Sequence, residues 1–148
     1  MTEQLLQQYG PWALIAGGSV GIGLCFARQL AAAGLNLGLM ARRPGPLAAA
    51  QEELTGTYGI EVRAQTLDLT AAGLEEQLEK MTHDLAIGLL VYNAGAVHGA
   101  GQFLDQPLER AHTLIQLNCT GPAVFCHQLG RRMRDRGRGG ILLMSSLS

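Results

Sequence analysis

The chain has 148 residues, of which 47% are hydrophobic and 16% charged, with a formal net charge of −1. That length suits one domain with a real core, and near-neutrality argues against a general nucleic-acid binder, whose phosphate contacts need a surplus of Lys and Arg. No apolar run approaches the ~20 residues of a membrane span, and Met1 to Gly10 lacks the basic and apolar parts of a signal peptide, so a cytoplasmic protein with no membrane partner is expected.

Trp12 to Ile15 is an apolar run of strand length, and Ala16 to Gly23 then reads Ala-Gly-Gly-Ser-Val-Gly-Ile-Gly. Ile22, Phe26, Leu30 and Ala33 recur three to four residues apart with Arg28 and Gln29 off the stripe, which predicts a helix that Gly34 stops. Leu35 to Met40 reads as the next strand, completing a strand-helix-strand unit of roughly 30 residues. A glycine-rich link from strand to helix lets a pyrophosphate lie against bare backbone amides, because no side chain stands in the way. The same letters could make a plain flexible turn; their place between strand and helix favours a dinucleotide site.

Pro46 is read as opening a helix over Leu47 to Leu54, and Val62 to Leu67 as a strand. Asp68-Leu69-Thr70 follows, with Thr70 as the cap of a helix from Ala71 to about Thr82. Ile87 to Tyr92 is a buried strand by its apolar continuity, and Asn93-Ala94-Gly95 leaves it. Asp105 and Pro107 mark the start of a long helix running to about Met133, and Ile141 to Met144 is the fifth strand, ending in Ser145-Ser146-Leu147-Ser148. Arg131, Arg132, Arg134, Arg136 and Arg138 read as a solvated helix end and turn. Cys25, Cys119 and Cys126 lack CxxC spacing and are expected as buried, reduced thiols, and no metal-ligand cluster is expected.

Strands alternating with helices specify a doubly wound parallel sheet of Rossmann-like type, over residues 1–148, whose ligand lies beyond the carboxyl ends of the strands. Ala16 to Gly23, Ala41 to Arg43, Asp68, Asn93 to Gly95 and Ser145 to Ser148 all fall at those ends. Five loops scattered in sequence should therefore meet at one crevice.

These residues, in this order, resemble the short-chain dehydrogenases/reductases. Ala16 to Gly23 is similar to that family's Thr-Gly-x-x-x-Gly-x-Gly, and Tyr92-Asn93-Ala94-Gly95 to its Asn-Asn-Ala-Gly, with Ala16 and Tyr92 as departures. Asp68 after the third strand, Asn118 inside the long helix with Gly121 beyond it, and Ser146 after the fifth strand complete the likeness. The resemblance implies hydride transfer between a nicotinamide and a carbonyl or alcohol carbon of a small molecule, and self-association of the complete fold. It implies that Gly17, Ser19, Gly21, Ile22 and Gly23 cradle the cofactor and that Asp68 meets the adenine amino group. The Leu69 amide would meet the adenine ring nitrogen, while Asn93, with Ala94 and Gly95, would hold the adenosine-side ribose and nearby backbone. Ser146 would orient the substrate oxygen, and the Asn118 carbonyl would hold a proton-relaying water.

Charge narrows the cofactor. An acid at the end of the second strand would bind a ribose 2′-hydroxyl, whereas this chain has Ala41 there, followed by Arg42 and Arg43. Missing acid and added base both favour NADP(H) over NAD(H), with a pair of solvated loop arginines as the alternative. Pro122 lies four residues after Asn118 and has no N–H to give the Asn118 carbonyl, so the long helix should be disturbed there.

The family's acid/base Tyr and the Lys four residues after it have no counterpart. Lys80, the one lysine, is preceded at that spacing by Glu76, and the residues four beyond Tyr9, Tyr58 and Tyr92 are Ala13, Val62 and Ala96. The chain thus reads as the cofactor-binding part of a reductase, truncated after the fifth strand and inactive alone; a non-catalytic nucleotide-binding or regulatory module is the alternative. Tyr9-Gly10-Pro11-Trp12 resembles the approach to the first strand in some steroid and 3-oxoacyl reductases of the family, while His98 and His112 read as surface or packing residues.

Overall fold

The apolar runs pair as five parallel strands: β1 (Trp12–Ala16), β2 (Asn36–Ala41), β3 (Val62–Thr66), β4 (Ile87–Tyr92) and β5 (Gly140–Leu143), in the spatial order β3-β2-β1-β4-β5. A computed structural model describes residues 2–97, 99 and 101–145. The helices are α1 (Thr2–Tyr9), α2 (Gly21–Ala32), α3 (Pro44–Tyr58), α4 (Leu74–Thr82), α5 (Leu108–Ile115) and α6 (Gly121–Asp135). No described helix is long and apolar enough to cross a membrane.

Side chains alternate across the sheet, so the central strands β1, β2 and β4 feed two cores. Trp12, Leu14, Ala16, Leu90 and Tyr92 pack with Leu78 of α4 and with Phe125, Leu129 and Met133 of α6. Ala13, Ile15, Leu37, Leu39 and Val91 pack on the other face with Ala27, Leu30 and Ala31 of α2 and Leu47, Ala50 and Leu54 of α3. All five residues of β1 are buried, as a central strand covered on both faces requires.

Several local expectations are corrected. α3 starts at Pro44, not Pro46, because Arg43 is extended (φ −96°, ψ 116°) and Pro44 needs no N–H donor in the first turn. Thr70 does not cap α4; that helix starts at Leu74 after Gly73 in the left-handed region (φ +75°), while Asp68 folds back on Thr70. The long helix is broken into a 3-10 turn (Phe103–Asp105), α5, a π turn (Gln116–Thr120) and α6. Cys25 and Cys119 are exposed and Cys126 is half-buried, so the expected burial fails for the first two, which face outward from α2 and from the π turn. Of the basic run, Arg132 bonds the Thr82 carbonyl and Glu79, Arg136 the Ile87 carbonyl and Arg138 the Gln7 carbonyl. Those three arginines fasten the end of α6 and the following turn to α4, β4 and α1 rather than standing free in solvent.

Candidate functional site

The first link is the turn from β1 to α2. Gly17 has φ +82° and Gly21 φ +55°, conformations that a side chain would strain. The Gly17 amide donates to the Met40 carbonyl (2.7 Å), and the Asn93 and Ala94 amides both donate to the Ala16 carbonyl (2.9 Å each). The Asn93 Nδ2 donates to the Gly17 carbonyl at 3.1 Å. Three strand ends are thus laced together through main chain, without the hydroxyl that Ala16 lacks.

α2 leaves this turn with no side-chain cap and no acidic residue in its first turn. Its first amides and the helix dipole favour an anion there. Gly23 is buried against the Gly17 carbonyl and the Asn93 amide, so it permits the close crossing of helix and turn. Ile22 stands exposed on the first turn of α2.

A crevice of about 560 Å³ opens at the carboxyl ends of β1 to β4. Gly17, Ser19, Arg42, Arg43, Asp68, Leu69, Asn93, Ala94 and Gly95 all line it, so four of the five expected loops converge. Gly21, Ile22 and Gly23 do not line it and sit just behind the glycine turn in α2. In the fifth loop Ser145 is exposed, and Ser146 lies outside the described residues, as does His98. A depression of about 670 Å³ also runs between α4 and α6, past Glu79, His127 and Arg131, but none of the strand-end residues lines it.

Asp68 is held as an anion. Its Oδ1 accepts from the Thr70 amide (2.9 Å) and hydroxyl (2.7 Å). These bonds, with a smaller contribution from Arg42, keep its carboxyl below the usual carboxylate range against the opposing effect of burial. Arg42 and Arg43 are exposed in the turn leaving β2.

The opposite wall was not foreseen. Arg110, Thr113, Leu114 and Leu117 line the crevice from α5 and the π turn, and Arg110 donates to the Val97 carbonyl at 2.9 Å. Their spacing of three, one and three residues is one helical face, the signal that could have exposed them.

Asn118 is not in that lining; its side chain reads the backbone of the loop after β4. Nδ2 donates to the Ala96 carbonyl (2.8 Å) and Oδ1 accepts the Ala96 amide (3.2 Å). The disturbance expected at Asn118 is present as the π turn, in which the Gly121 amide donates to the Gln116 carbonyl, one residue farther than in an α-helix. In an α register Pro122 would fail the Asn118 carbonyl; in this longer register it fails Leu117. The Leu117 carbonyl instead accepts the Tyr92 hydroxyl at 2.9 Å. Tyr92 is buried, its ring stands edge-on to Phe125 at 5.3 Å, and burial, then nearby Cys126, pushes its hydroxyl up to about 12.

Residues 11–148 match the family model described as short chain dehydrogenase. The chain is 30% identical to a 7beta-hydroxysteroid dehydrogenase of Collinsella aerofaciens, covering 97% of this chain and 54% of that protein. It is 36% identical to a very-long-chain 3-oxoacyl-CoA reductase of Ajellomyces capsulatus, covering 98% of this chain and 45% of the relative. Among solved structures, a short-chain dehydrogenase from Sphingobium yanoikuyae in complex with NADPH superposes with a TM-score of 0.87 at 33% identity, over 93% of this chain and 54% of that one. The chain spans about half the length of these relatives.

Proposed function

The chain belongs to the short-chain dehydrogenase/reductase family, and from that premise we propose that it is the NADP(H)-binding part of an oxidoreductase acting on a carbonyl or alcohol group. The observation that carries the choice of cofactor is the turn leaving β2, where Ala41 stands at the acidic position and Arg42 and Arg43 border the crevice. A 2′-phosphate would take charge-assisted hydrogen bonds from either guanidinium. The NADPH complex of the Sphingobium relative and the NADPH complex of an L-sorbose reductase from Gluconobacter frateurii support this reading.

The residues present fit a dinucleotide. The positive-φ glycine turn and the uncapped start of α2 offer backbone amides to a pyrophosphate. Asp68, kept ionised by Thr70, accepts from an adenine amino group, the Leu69 amide donates to its ring, and Asn93 holds the adenosine-side ribose. When bound, the nicotinamide supplies or accepts the hydride. The Asn118 side chain fixes the Ala96 loop, its main-chain carbonyl is the group that would hold a proton-relaying water, and Ser146 orients the substrate oxygen. No Tyr-x-x-x-Lys occurs in these 148 residues, so the chain by itself binds cofactor without turnover. The substrate of the whole protein is a small ketone or alcohol, with the steroid and 3-oxoacyl thioester classes of the relatives as the first to try.

The test is a pair of fluorescence titrations with NADPH and NADH. Arg42 and Arg43 should each contribute about tenfold to the preference for NADPH, the worth of one charge-assisted hydrogen bond. Arg42→Ala with Arg43→Ala should therefore erase the preference while leaving NADH affinity unchanged. Equal affinity of the unaltered chain for the two cofactors overturns the NADP(H) assignment, and binding of neither overturns the cofactor site.

A further inference from the structure

Pro122 creates a defect in the long helical segment that must be repaired somewhere. In the π turn each amide reaches back five residues, as Gly121 does to Gln116. The next acceptor in that register is Leu117 and its donor would be residue 122, which is proline and has none. The Tyr92 hydroxyl fills that place at 2.9 Å, from the last residue of β4.

We propose that Tyr92 is a positioning residue whose hydroxyl substitutes for the amide missing at Pro122, locking the π turn and with it the Asn118–Ala96 clasp that closes the crevice wall. Three observations converge on this. Tyr92 is 3% exposed and braced by Phe125, so its hydroxyl is delivered by a rigid ring. Gly121 makes room for that ring, since a Cβ there would lie 3.2 Å from the Tyr92 Cζ and closer still to its oxygen. Asn118 and Leu117 are adjacent, so the carbonyl that Tyr92 holds and the side chain that grips Ala96 move as one piece. The two ends of the Asn93–Ala96 loop are then fixed by one device, Tyr92 before it and Asn118 across it.

The consequence for nucleotide binding rests on the cofactor reading above; the clamp itself does not. The test is a double-mutant cycle of Tyr92→Phe and Pro122→Ala, because alanine restores the amide that the hydroxyl replaces. Tyr92→Phe alone should raise the hydrogen-exchange rates of the Gly121 and Ala96 amides about tenfold, the worth of one hydrogen bond to an otherwise unsatisfied carbonyl. In the Pro122→Ala background the same change should raise them less than about twofold. An equal rise in both backgrounds, or none in either, overturns the proposal. If Tyr92→Phe does not fold, recovery of the fold by Pro122→Ala supports the proposal and failure to recover it overturns it. NADPH affinity should follow the exchange rates, weakening in Tyr92→Phe and returning in the double variant. A chain that binds no NADPH refutes the cofactor reading and leaves the exchange cycle to decide the clamp.

Discussion

Gly23→Ala separates a packing requirement from an ordinary helix preference. At a solvent-facing helical position the change would stabilise by about 0.5–1 kcal/mol, because alanine is the better helix former. Here the added Cβ would collide with the Gly17 carbonyl oxygen and stand 2.8 Å from the Asn93 Nδ2. The collision displaces the turn or the helix at an overpacking cost of about 1–3 kcal/mol. It also breaks the 3.1 Å bond from Asn93 to Gly17, a further loss of about 1 kcal/mol. After the helix gain is offset, the net destabilisation is about 1–3 kcal/mol, read as a lower urea midpoint at unchanged slope. Gly21→Ala is the companion: nothing lies within 4 Å of its Cβ, and only φ +55° opposes it, a left-handed penalty of about 1–2 kcal/mol. The two variants differ in what else they damage. Gly23→Ala should also loosen the Asn93 side chain and weaken NADPH binding, whereas Gly21→Ala should leave the Asn93 resonances in place. A Gly23→Ala chain as stable as the unaltered one, or more so, would show that the crossing of α2 over the turn does not demand glycine.

Two further predictions concern the surface. The Asp84 carboxyl is pushed down to about 2 from 3.8, first by its hydrogen bond from Arg63 (2.6 Å), so this pair's contribution to stability is complete above the ordinary value and disappears as pH falls through about 2. An NMR pH titration should find that midpoint, and Arg63→Ala should raise it toward the ordinary value; an unchanged midpoint would sink the assignment. β5 pairs only with β4 among the described strands, and Ile141 and Leu143 are 42% and 52% exposed. Leu143→Lys should therefore reduce concentration-dependent self-association in sedimentation velocity, and a chain already monomeric at high concentration would contradict this.

What was legible in the sequence was whatever the local pattern settles. β1 and β4 announce themselves because a strand covered on both faces must be apolar throughout, and Gly17, Asp68 and Asn93 stand out as polar or glycine residues directly after such runs. α1 was not legible: Thr2–Tyr9 is mostly polar, and its Leu5 and Tyr9 find their apolar partners only in the assembled core. The α5 wall was hidden for a related reason. Arg110, Thr113, Leu114 and Leu117 carry no motif, and their shared face matters only once the turn after Asn93 is seen opposite them. The proline did predict a break, yet not its form, because the hydroxyl that meets the π turn's Leu117 carbonyl comes from Tyr92, 25 residues before that carbonyl in sequence.

Ala16 and Tyr92, the two departures from the family pattern, are better understood together than apart. They are register partners across β1 and β4 and belong to the same core, so their side chains lie next to one another on one face of the sheet. A small residue at 16 stands beside a large one at 92, which keeps the local volume filled. The polar duties are redistributed as well. Main-chain amides of Asn93 and Ala94 secure the Ala16 carbonyl, and the hydroxyl in this part of the sheet belongs to Tyr92, directed at the helix instead of the turn. A hydroxyl on residue 16 would fasten one strand end to another, a job already done three times over by backbone. On residue 92 it reaches Leu117 and answers for the proline, whose nitrogen has no N–H to give. The hydroxyl missing at 16 is thus one whose work the backbone already does, and the hydroxyl that stands at 92 in place of the family's Asn faces the carbonyl that Pro122 leaves without an amide.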